Sequence, residues 1–145
     1  MDGTSRWREN WRVAAPPGAT RVDVPWSRQA RADAAAMLRR LPEGTPVVLA
    51  ARAPFGIRRS RNLADRAGVC VDAEYLALPT VERPAFLVED HPASISYFLQ
   101  ALLTAPPAGR LTSVLTPAVR VARAVSPWRV VRLLSPGRVL VGRRA

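Results

Sequence analysis

The segment PVVLAA at residues 46–51 is the feature that most constrains the fold, because it is apolar on both faces. A half-exposed strand alternates apolar and polar residues, whereas a short continuous apolar run is typical of a strand covered from both sides, as in parallel sheets. Residues 21–26 alternate Val22 and Val24 with polar side chains, and residues 30–41 carry apolar side chains at helical spacing. Strand, helix and buried strand in this order predict a βαβ unit.

The elements that follow extend this pattern. A helix is predicted over residues 58–67, with Gly68 at the position of a left-handed C-cap. Residues 69–78 and 85–89 are predicted to be two strands, and the short loop between them favours an antiparallel pair. We therefore expect an α/β fold with a partial doubly wound, mostly parallel sheet, an antiparallel C-terminal hairpin and helices on the faces of the sheet.

The first strand is predicted to lie at or near the margin of this sheet. Arg21 and Asp23 alternate with valines, and Pro25 lacks a backbone donor, which suits an edge. Val48 and Leu49 of the neighbouring strand are expected to be buried.

The C-terminal part is predicted to be mainly helical. The clearest helix covers residues 92–103, with Pro92 in its first turn and one apolar face. The residue pairs 116–117 and 126–127 each resemble an N-cap followed by a proline at the first helical position. Residues 136–137, Pro-Gly, predict a turn and hence a terminal hairpin or a helix-to-strand return.

The expected organisation is an N-terminal helix and linker, residues 1–20, followed by a single domain, residues 21–145. Trp7 and Trp11 are four residues apart, so a helix would present both on one face for docking onto the domain. A partner helix or a membrane-surface helix is the alternative. The region 110–145 of the domain is rich in arginine.

The chain has one cysteine and one histidine, so metal sites built from clusters of these residues are not expected. Cys70 stands between two valines and is predicted to be a small core residue. His91 directly precedes a predicted helix and is expected to be a cap or loop residue.

The net charge is +11, and all 22 basic residues are arginines. Asp90 is the last acidic residue, so the arginines after it have no acidic neighbours in the sequence. A surface with charge of one sign attracts phosphates, anionic lipids or acidic partners. The candidate anion contacts are Arg120, Arg123, Arg129 and Arg132. The alternative is a solvated face whose arginines reflect the codon bias of a GC-rich genome.

Ligands of open α/β sheets bind beyond the carboxyl ends of the strands. The candidate pocket residues at these ends are Trp26, Arg52, Phe55, Gly56, Arg58 and Arg59. The last two arginines stand at the start of a predicted helix, where backbone N–H groups favour a phosphate or carboxylate. The alternative is that the arginines are solvated or pair with Asp65 and Glu82.

The order strand, helix, buried strand, helix, strand and hairpin strand resembles the second half of class I, Rossmann-like, S-adenosylmethionine-dependent methyltransferases, whose sheet ends in an antiparallel hairpin. The segment LPEGTPVVLAARAPFG is similar to the lead into their fifth strand, and RNLADRAGVCVDAEYLALP is similar to their last helix running into the sixth. PAFLVED would then be the seventh strand. The resemblance covers roughly residues 21–90.

The resemblance implies a cofactor held by a glycine-rich turn, with an acid for the ribose hydroxyls. This chain has no GxGxG-type run, and only Gly3 and Gly18 precede its first predicted strand. No cofactor-binding or catalytic residue is therefore carried over. S-adenosylmethionine is expected to bind only if a partner chain supplies the missing half.

Two functions follow from these observations. The first is a truncated, degenerate or split methyltransferase-like domain, inactive alone, that works with a complementary chain or as a homo-oligomer. The alternative is a noncatalytic basic module that binds nucleic acid, a membrane surface or an acidic protein. A structural remnant without function is a third interpretation. Trp128 is the only aromatic residue in the arginine-rich region 110–145, which disfavours RNA recognition by base stacking.

A cytoplasmic location is expected. No apolar run reaches the roughly 20 residues that a transmembrane helix needs. The first residues, MDGTSRWRENWR, lack the apolar stretch of a signal peptide.

Overall fold

The computed structural model describes residues 3–52, 55–102, 112–125 and 127–145. The helices are α1 (Gly3–Ala14), α2 (Arg28–Arg39), α3 (Gly56–Ala67), α4 (Pro92–Tyr97) with a π-helical continuation (Phe98–Leu102), α5 (Thr112–Val125) and α6 (Trp128–Leu134). The strands are β1 (Thr20–Asp23), β2 (Pro46–Arg52), β3 (Val69–Leu78), β4 (Phe86–Glu89) and β5 (Gly137–Arg144). The chain divides into two compact units, Met1–Leu87 with Ser135–Ala145 and Val88–Leu134.

The five strands form one mixed sheet in the order β1-β2-β5-β3-β4. β1 and β2 pair in parallel, whereas β5 is antiparallel to both of its neighbours, β2 and β3. The predictions of an α/β fold and of an initial βαβ unit are confirmed. The last strand in the sequence therefore lies in the middle of the sheet.

The chain enters this central position from a helix. α6 ends at Leu134 and β5 begins at Gly137, so the helix-to-strand return is the alternative that the structure adopts. β4 is the neighbour of β3 at the margin of the sheet. β3 pairs on its other side with β5, from Val69 opposite Arg144 to Ala77 opposite Gly137.

The burial of the first two strands follows the sequence pattern. Val48 and Leu49 of β2 are each 1% exposed, which confirms the prediction for this strand. β1 stands at the end of the sheet order, and its Arg21 and Asp23 are exposed. The prediction that this strand lies at the margin is confirmed.

Successive residues of β2 belong to two apolar clusters, which therefore lie on opposite faces of the sheet. On one face, Leu49 packs in a cluster with Leu38 of α2 and Leu63 of α3. On the other face, Val48 packs in a cluster with Trp11 of α1. The two crossover helices α2 and α3 therefore share one face of the sheet.

Local capping accounts for several of the helix boundaries. The Ser27 side chain accepts a hydrogen bond from the Ala30 backbone N–H at 3.1 Å at the start of α2. Gly68 ends α3 with φ 65° and ψ 45°, which confirms the predicted left-handed C-cap. His91 Nδ1 accepts from the Ala93 backbone N–H at 3.3 Å at the start of α4, so the cap role predicted for this histidine is confirmed.

Two predictions of local structure are wrong. Cys70 is exposed, because Val69 occupies the buried position and strand alternation turns the next side chain to the other face, which is open at this end of β3. Pro117 lies inside α5 and not at its first position. The fixed φ of proline is compatible with a helix, but an interior proline removes one backbone hydrogen bond and its ring clashes with the carbonyl group four residues earlier. Ser126, the other predicted N-cap, lies outside the described residues.

Candidate anion-binding site

Trp26 and Arg59 form the centre of the predicted pocket, where β1 and β2 end. The Arg59 guanidinium carbon lies 3.5 Å from the centroid of the Trp26 ring, which is a favourable distance for a cation on an aromatic face. Arg59 is 9% exposed, whereas Trp26 is 56% exposed. The indole therefore covers the guanidinium and keeps much of its own surface in solvent.

Arg59 is held by a hydrogen bond and lies near a second cation. Its Nη2 donates to the carbonyl oxygen of Arg52 at the end of β2. Burial and the neighbouring Arg31 both lower the pKa of the Arg59 guanidinium from its ordinary value. Because arginine keeps its proton in proteins, two positive charges remain close together here.

Arg31 joins α2 to the end of β1. Its Nη1 donates to the carbonyl oxygen of Pro25 at 2.9 Å and also to that of Trp26. These two carbonyl groups follow the last residue of β1, so the loop after the strand fixes the position of the Arg31 head group.

The other predicted pocket residues are divided between internal contacts and the surface. Arg52 forms an ion pair with Glu82, as the alternative interpretation had it. Gly56 is buried, and a Cβ there would lie 3.3 Å from a carbonyl oxygen of β2. Phe55 and Arg58 are exposed. The structure therefore brings Trp26 and Arg59 together and leaves the remaining side chains apart from them or engaged elsewhere.

A groove of about 330 Å³ lies between α2 and α3. It is lined by Arg28, Arg31, Asn62, Leu63 and Arg66. Leu63 is fully buried, so it closes the groove on the side of the core. The lining thus presents three guanidinium groups and one amide, and it contains no carboxylate among the described residues.

The polar side chains of the groove differ in how they are held. Arg31 is anchored by the carbonyl groups after β1. The side chains of Arg28, Asn62 and Arg66 make no hydrogen bond or ion pair within the described parts of the chain. The two helices are tied by Arg39 of α2, whose Nη1 donates to the Arg66 carbonyl oxygen at 2.9 Å. The groove is therefore framed by fixed backbone and carries donors that are available to a ligand.

Sequence reasoning missed this groove, although a signal for it exists. Arg28 and Arg31 are three residues apart on one helix, and Asn62 and Arg66 are four apart on the next, so each pair shares a helix face. Two consecutive right-handed crossovers that proceed in the same direction place their helices on the same face of a sheet. A prediction that the two pairs of side chains lie close together therefore requires this topology to be assumed first.

The predicted anion contacts of the C-terminal region behave differently. Arg132 Nε lies 2.8 Å from Asp90 Oδ1, and the Asp90 side chain is 2% exposed. Arg129 lies 5.2 Å from the centroid of the Trp128 ring. Arg120 is exposed on α5. The side chain of Arg123, the fourth candidate, lies outside the described residues.

Further C-terminal arginines are also engaged within the fold. Arg143 Nε lies 3.5 Å from Asp72 Oδ2, and Arg144 Nη1 donates to the Gly68 carbonyl oxygen at 3.3 Å. Arg138 is 5% exposed in β5. Acids and carbonyl groups from earlier in the sequence thus offset a region that has no acid of its own.

The described residues contain neither a metal-binding cluster nor a helix able to cross a membrane. No three His, Cys, Asp or Glu side chains among them are grouped closely enough to hold a metal ion. None of the helices within the described ranges combines the length and apolarity that a membrane crossing requires.

No family model matches this chain, and searches of curated proteins and of solved structures gave no match.

Proposed function

We propose that this chain is the C-terminal half of a methyltransferase-like domain, without an S-adenosylmethionine site of its own and inactive alone. The observation that best supports this is the order of elements. β1, α2, β2, α3 and β3 follow one another, and the final strand β5 is antiparallel to β3. Class I methyltransferases also place an antiparallel last strand after a series of parallel strands with crossover helices, although in them this strand completes a hairpin, whereas here helices α4, α5 and α6 lie between β3 and β5 in the sequence.

In this proposal β5 corresponds to the seventh strand of the methyltransferase sheet, the position that the resemblance in sequence assigned to residues 85–89. β5 pairs with β3 along eight positions, from Val69 opposite Arg144 to Ala77 opposite Gly137. It also pairs with β2 from Pro46 to Arg52. A strand with two long ladders is better suited to complete a sheet than β4, which has only four residues.

The complementary half would extend the sheet at β1. β1 has one strand neighbour in the sheet order, β2, and stands at its end. The free backbone groups of an edge strand can pair with an added strand. The completed sheet would carry helices on both faces and become doubly wound. The missing half would be supplied by another chain or by another part of the same polypeptide, since a second copy would lack the same glycine-rich segment.

The cofactor would bind only to the completed domain. Close approach of the backbone to S-adenosylmethionine needs glycine, and the ribose hydroxyls need an acid at the end of a strand. Gly18, which precedes β1, stands in the proline-bounded linker APPG, and Asp23 of β1 is exposed and lies 3.3 Å from the Arg21 guanidinium. Neither residue provides such a site.

Titration of the purified chain with S-adenosylmethionine tests the first part of the proposal. We expect no saturable binding at micromolar concentration by isothermal calorimetry, and no methyl transfer. A one-to-one isotherm would contradict the proposal, because the cofactor site would then be built from this chain alone.

Purification from the native cells tests the second part. We expect the tagged protein to be recovered with a glycine-rich methyltransferase half, identified by mass spectrometry, and to crosslink to radiolabelled S-adenosylmethionine under ultraviolet light. Recovery of this chain alone, without crosslinking, would contradict a working split or longer enzyme.

A second candidate function, a noncatalytic anion-binding module, is supported by the groove between α2 and α3. The C-terminal arginines support it less, since Arg132 and Arg143 already have acidic partners within the fold.

A further inference from the structure

We infer that the groove between α2 and α3 binds a phosphate-bearing small molecule. The inference rests on the groove alone and stands whether or not the chain is half of a methyltransferase. It combines a concave site of about 330 Å³ with three arginines and an asparagine in its lining.

The positive charge of the groove is not neutralised by acidic side chains in its lining. Arg28, Arg31 and Arg66 bring three positive charges, and no described acidic side chain lines the site. Like charges repel, and they do so more strongly beside a protein surface than in bulk water. A bound anion would turn this repulsion into attraction.

The donors have the chemistry of phosphate recognition. A guanidinium offers paired N–H groups that match two oxygens of a phosphate, and such charge-assisted hydrogen bonds are among the strongest in proteins. Arg28 and Arg66 approach from different helices and have no partners among the described residues. The Asn62 amide adds a neutral donor. A phosphate between the helices would therefore be contacted from two sides.

The positions of the donors are largely fixed before a ligand arrives. Arg31 is held by two carbonyl groups after β1, and Arg39 ties α2 to the backbone of Arg66. α3 is anchored in the core by Leu63 and Ala64, both fully buried. A preorganised site loses less conformational freedom on binding, which favours affinity.

The size of the groove favours a small ligand. Its volume lies at the lower end of the roughly 300–1,000 Å³ typical of small-molecule sites. Pyrophosphate or a nucleoside monophosphate fits this range. A nucleic-acid backbone or a lipid surface would require a longer or flatter cationic surface. Pyrophosphate is the minimal probe of the site, and AMP is the probe for a phosphate that carries an organic group.

The test is calorimetric titration of the full chain with pyrophosphate, AMP and adenosine at low salt. We expect one-to-one binding of pyrophosphate and AMP in the range of about 1 mM or tighter. Adenosine should not bind measurably, because it lacks the phosphate. Affinity for pyrophosphate should fall as salt is added, since the attraction is electrostatic.

Matched variants locate the site. Arg28→Gln with Arg66→Gln should weaken pyrophosphate binding by about tenfold or more, since each lost charge-assisted hydrogen bond weakens binding strongly. The control, Arg12→Gln with Arg40→Gln, removes the same charge from two exposed positions outside the groove lining. It should change the affinity by less than about twofold. Circular dichroism and melting curves of both double variants check that the fold is kept.

Four outcomes would overturn the inference. The first is no saturation by pyrophosphate below about 10 mM, which is weaker than a built site would give. The second is equal weakening by both double variants, which would indicate attraction to the overall charge. The third is adenosine binding as tightly as AMP. The fourth is binding only to single-stranded oligonucleotides or to vesicles of anionic lipid.

Discussion

Two arginine-rich regions of this molecule look alike in sequence and differ in the fold. In the C-terminal region, Arg132 lies against the buried carboxylate of Asp90. In the groove between α2 and α3, Arg28 and Arg66 face no acid among the described residues. The density of arginines along the sequence therefore does not locate an anion site. The fold determines which cations already have anions beside them.

The structural roles of the two segments explain the difference. The C-terminal region ends in β5, whose Val139 and Leu140 are buried and which pairs on both sides. Its arginines must be compatible with a core strand and with the acids near it. α2 and α3 are outer-layer helices that bury one face, and the side chains of Arg28 and Arg66 lie outside that face, in the lining of the groove.

The largest effect is expected where the C-terminal region is most tightly packed. A Cβ at Gly142 would lie 2.2 Å from the Cys70 carbonyl oxygen of β3. Because backbone cannot move aside easily, Gly142→Ala should destabilise the protein by about 3 kcal/mol. This corresponds to a fall in melting temperature of roughly 10 °C. The neighbouring Arg143→Gln, at an exposed position, is the control and should melt within about 2 °C of wild type. An unchanged melting temperature for Gly142→Ala would show that β5 does not approach β3 so closely.

A smaller effect is expected at the C-terminal ion pair. Arg132→Gln removes the guanidinium beside a carboxylate whose side chain is 2% exposed. The loss of this partner should destabilise the protein by about 1–3 kcal/mol in urea denaturation. Arg120→Gln removes the same charge from an exposed position of α5 and should change stability by less than about 0.5 kcal/mol. Equal effects of the two substitutions would remove the distinction between engaged and free arginines.

The smallest effect concerns the exposed ion pair of Arg52 and Glu82. The backbone N–H of Glu82 itself is the main cause that holds the pKa of Glu82 below its ordinary value. Burial, the next largest influence, acts in the opposite direction, and Arg52 and the Thr80 hydroxyl add to the lowering. A carboxylate with a depressed pKa in the folded state stabilises the fold above its unfolded pKa of about 4.3. That contribution is lost as pH falls through the folded pKa.

Glu82→Gln should therefore lower stability slightly at pH 7, by a few tenths of a kcal/mol for an exposed pair. The difference from wild type should vanish in acid below the folded pKa. The measurement is urea denaturation from pH 7 down into the acid range. A gap between the two proteins that persists or grows in acid would contradict the assigned role of the carboxylate.

The part of the fold built from neighbouring segments could be predicted from the sequence. The apolar run of β2 and the alternation in β1 reflect local burial, and Gly68 marks the end of α3 by its own backbone preference. The position of β5 could not be predicted, because Val47 pairs with Gly142 from the far end of the chain. Long-range pairing leaves no signal in local periodicity.

The candidate site was predictable to a similar extent. Trp26 and Arg59 were placed together by the rule that ligands bind beyond strand ends, and the structure stacks them. The rule did not include Arg28 and Arg66, which lie along the helices. The pairing of Arg132 with Asp90 and of Arg143 with Asp72 could not be predicted from the excess of arginine after Asp90, because both partner acids lie earlier in the sequence or at its boundary.

The most direct test of this contrast is a nuclear magnetic resonance titration that observes the side-chain Nε–Hε signals of the arginines while pyrophosphate is added. We predict saturable shifts for Arg28, Arg31 and Arg66 with a common dissociation constant, and no saturable shift for Arg120 or Arg129. Saturable shifts that are largest for Arg120 and Arg129, or shifts of equal size across all exposed arginines, would contradict the account.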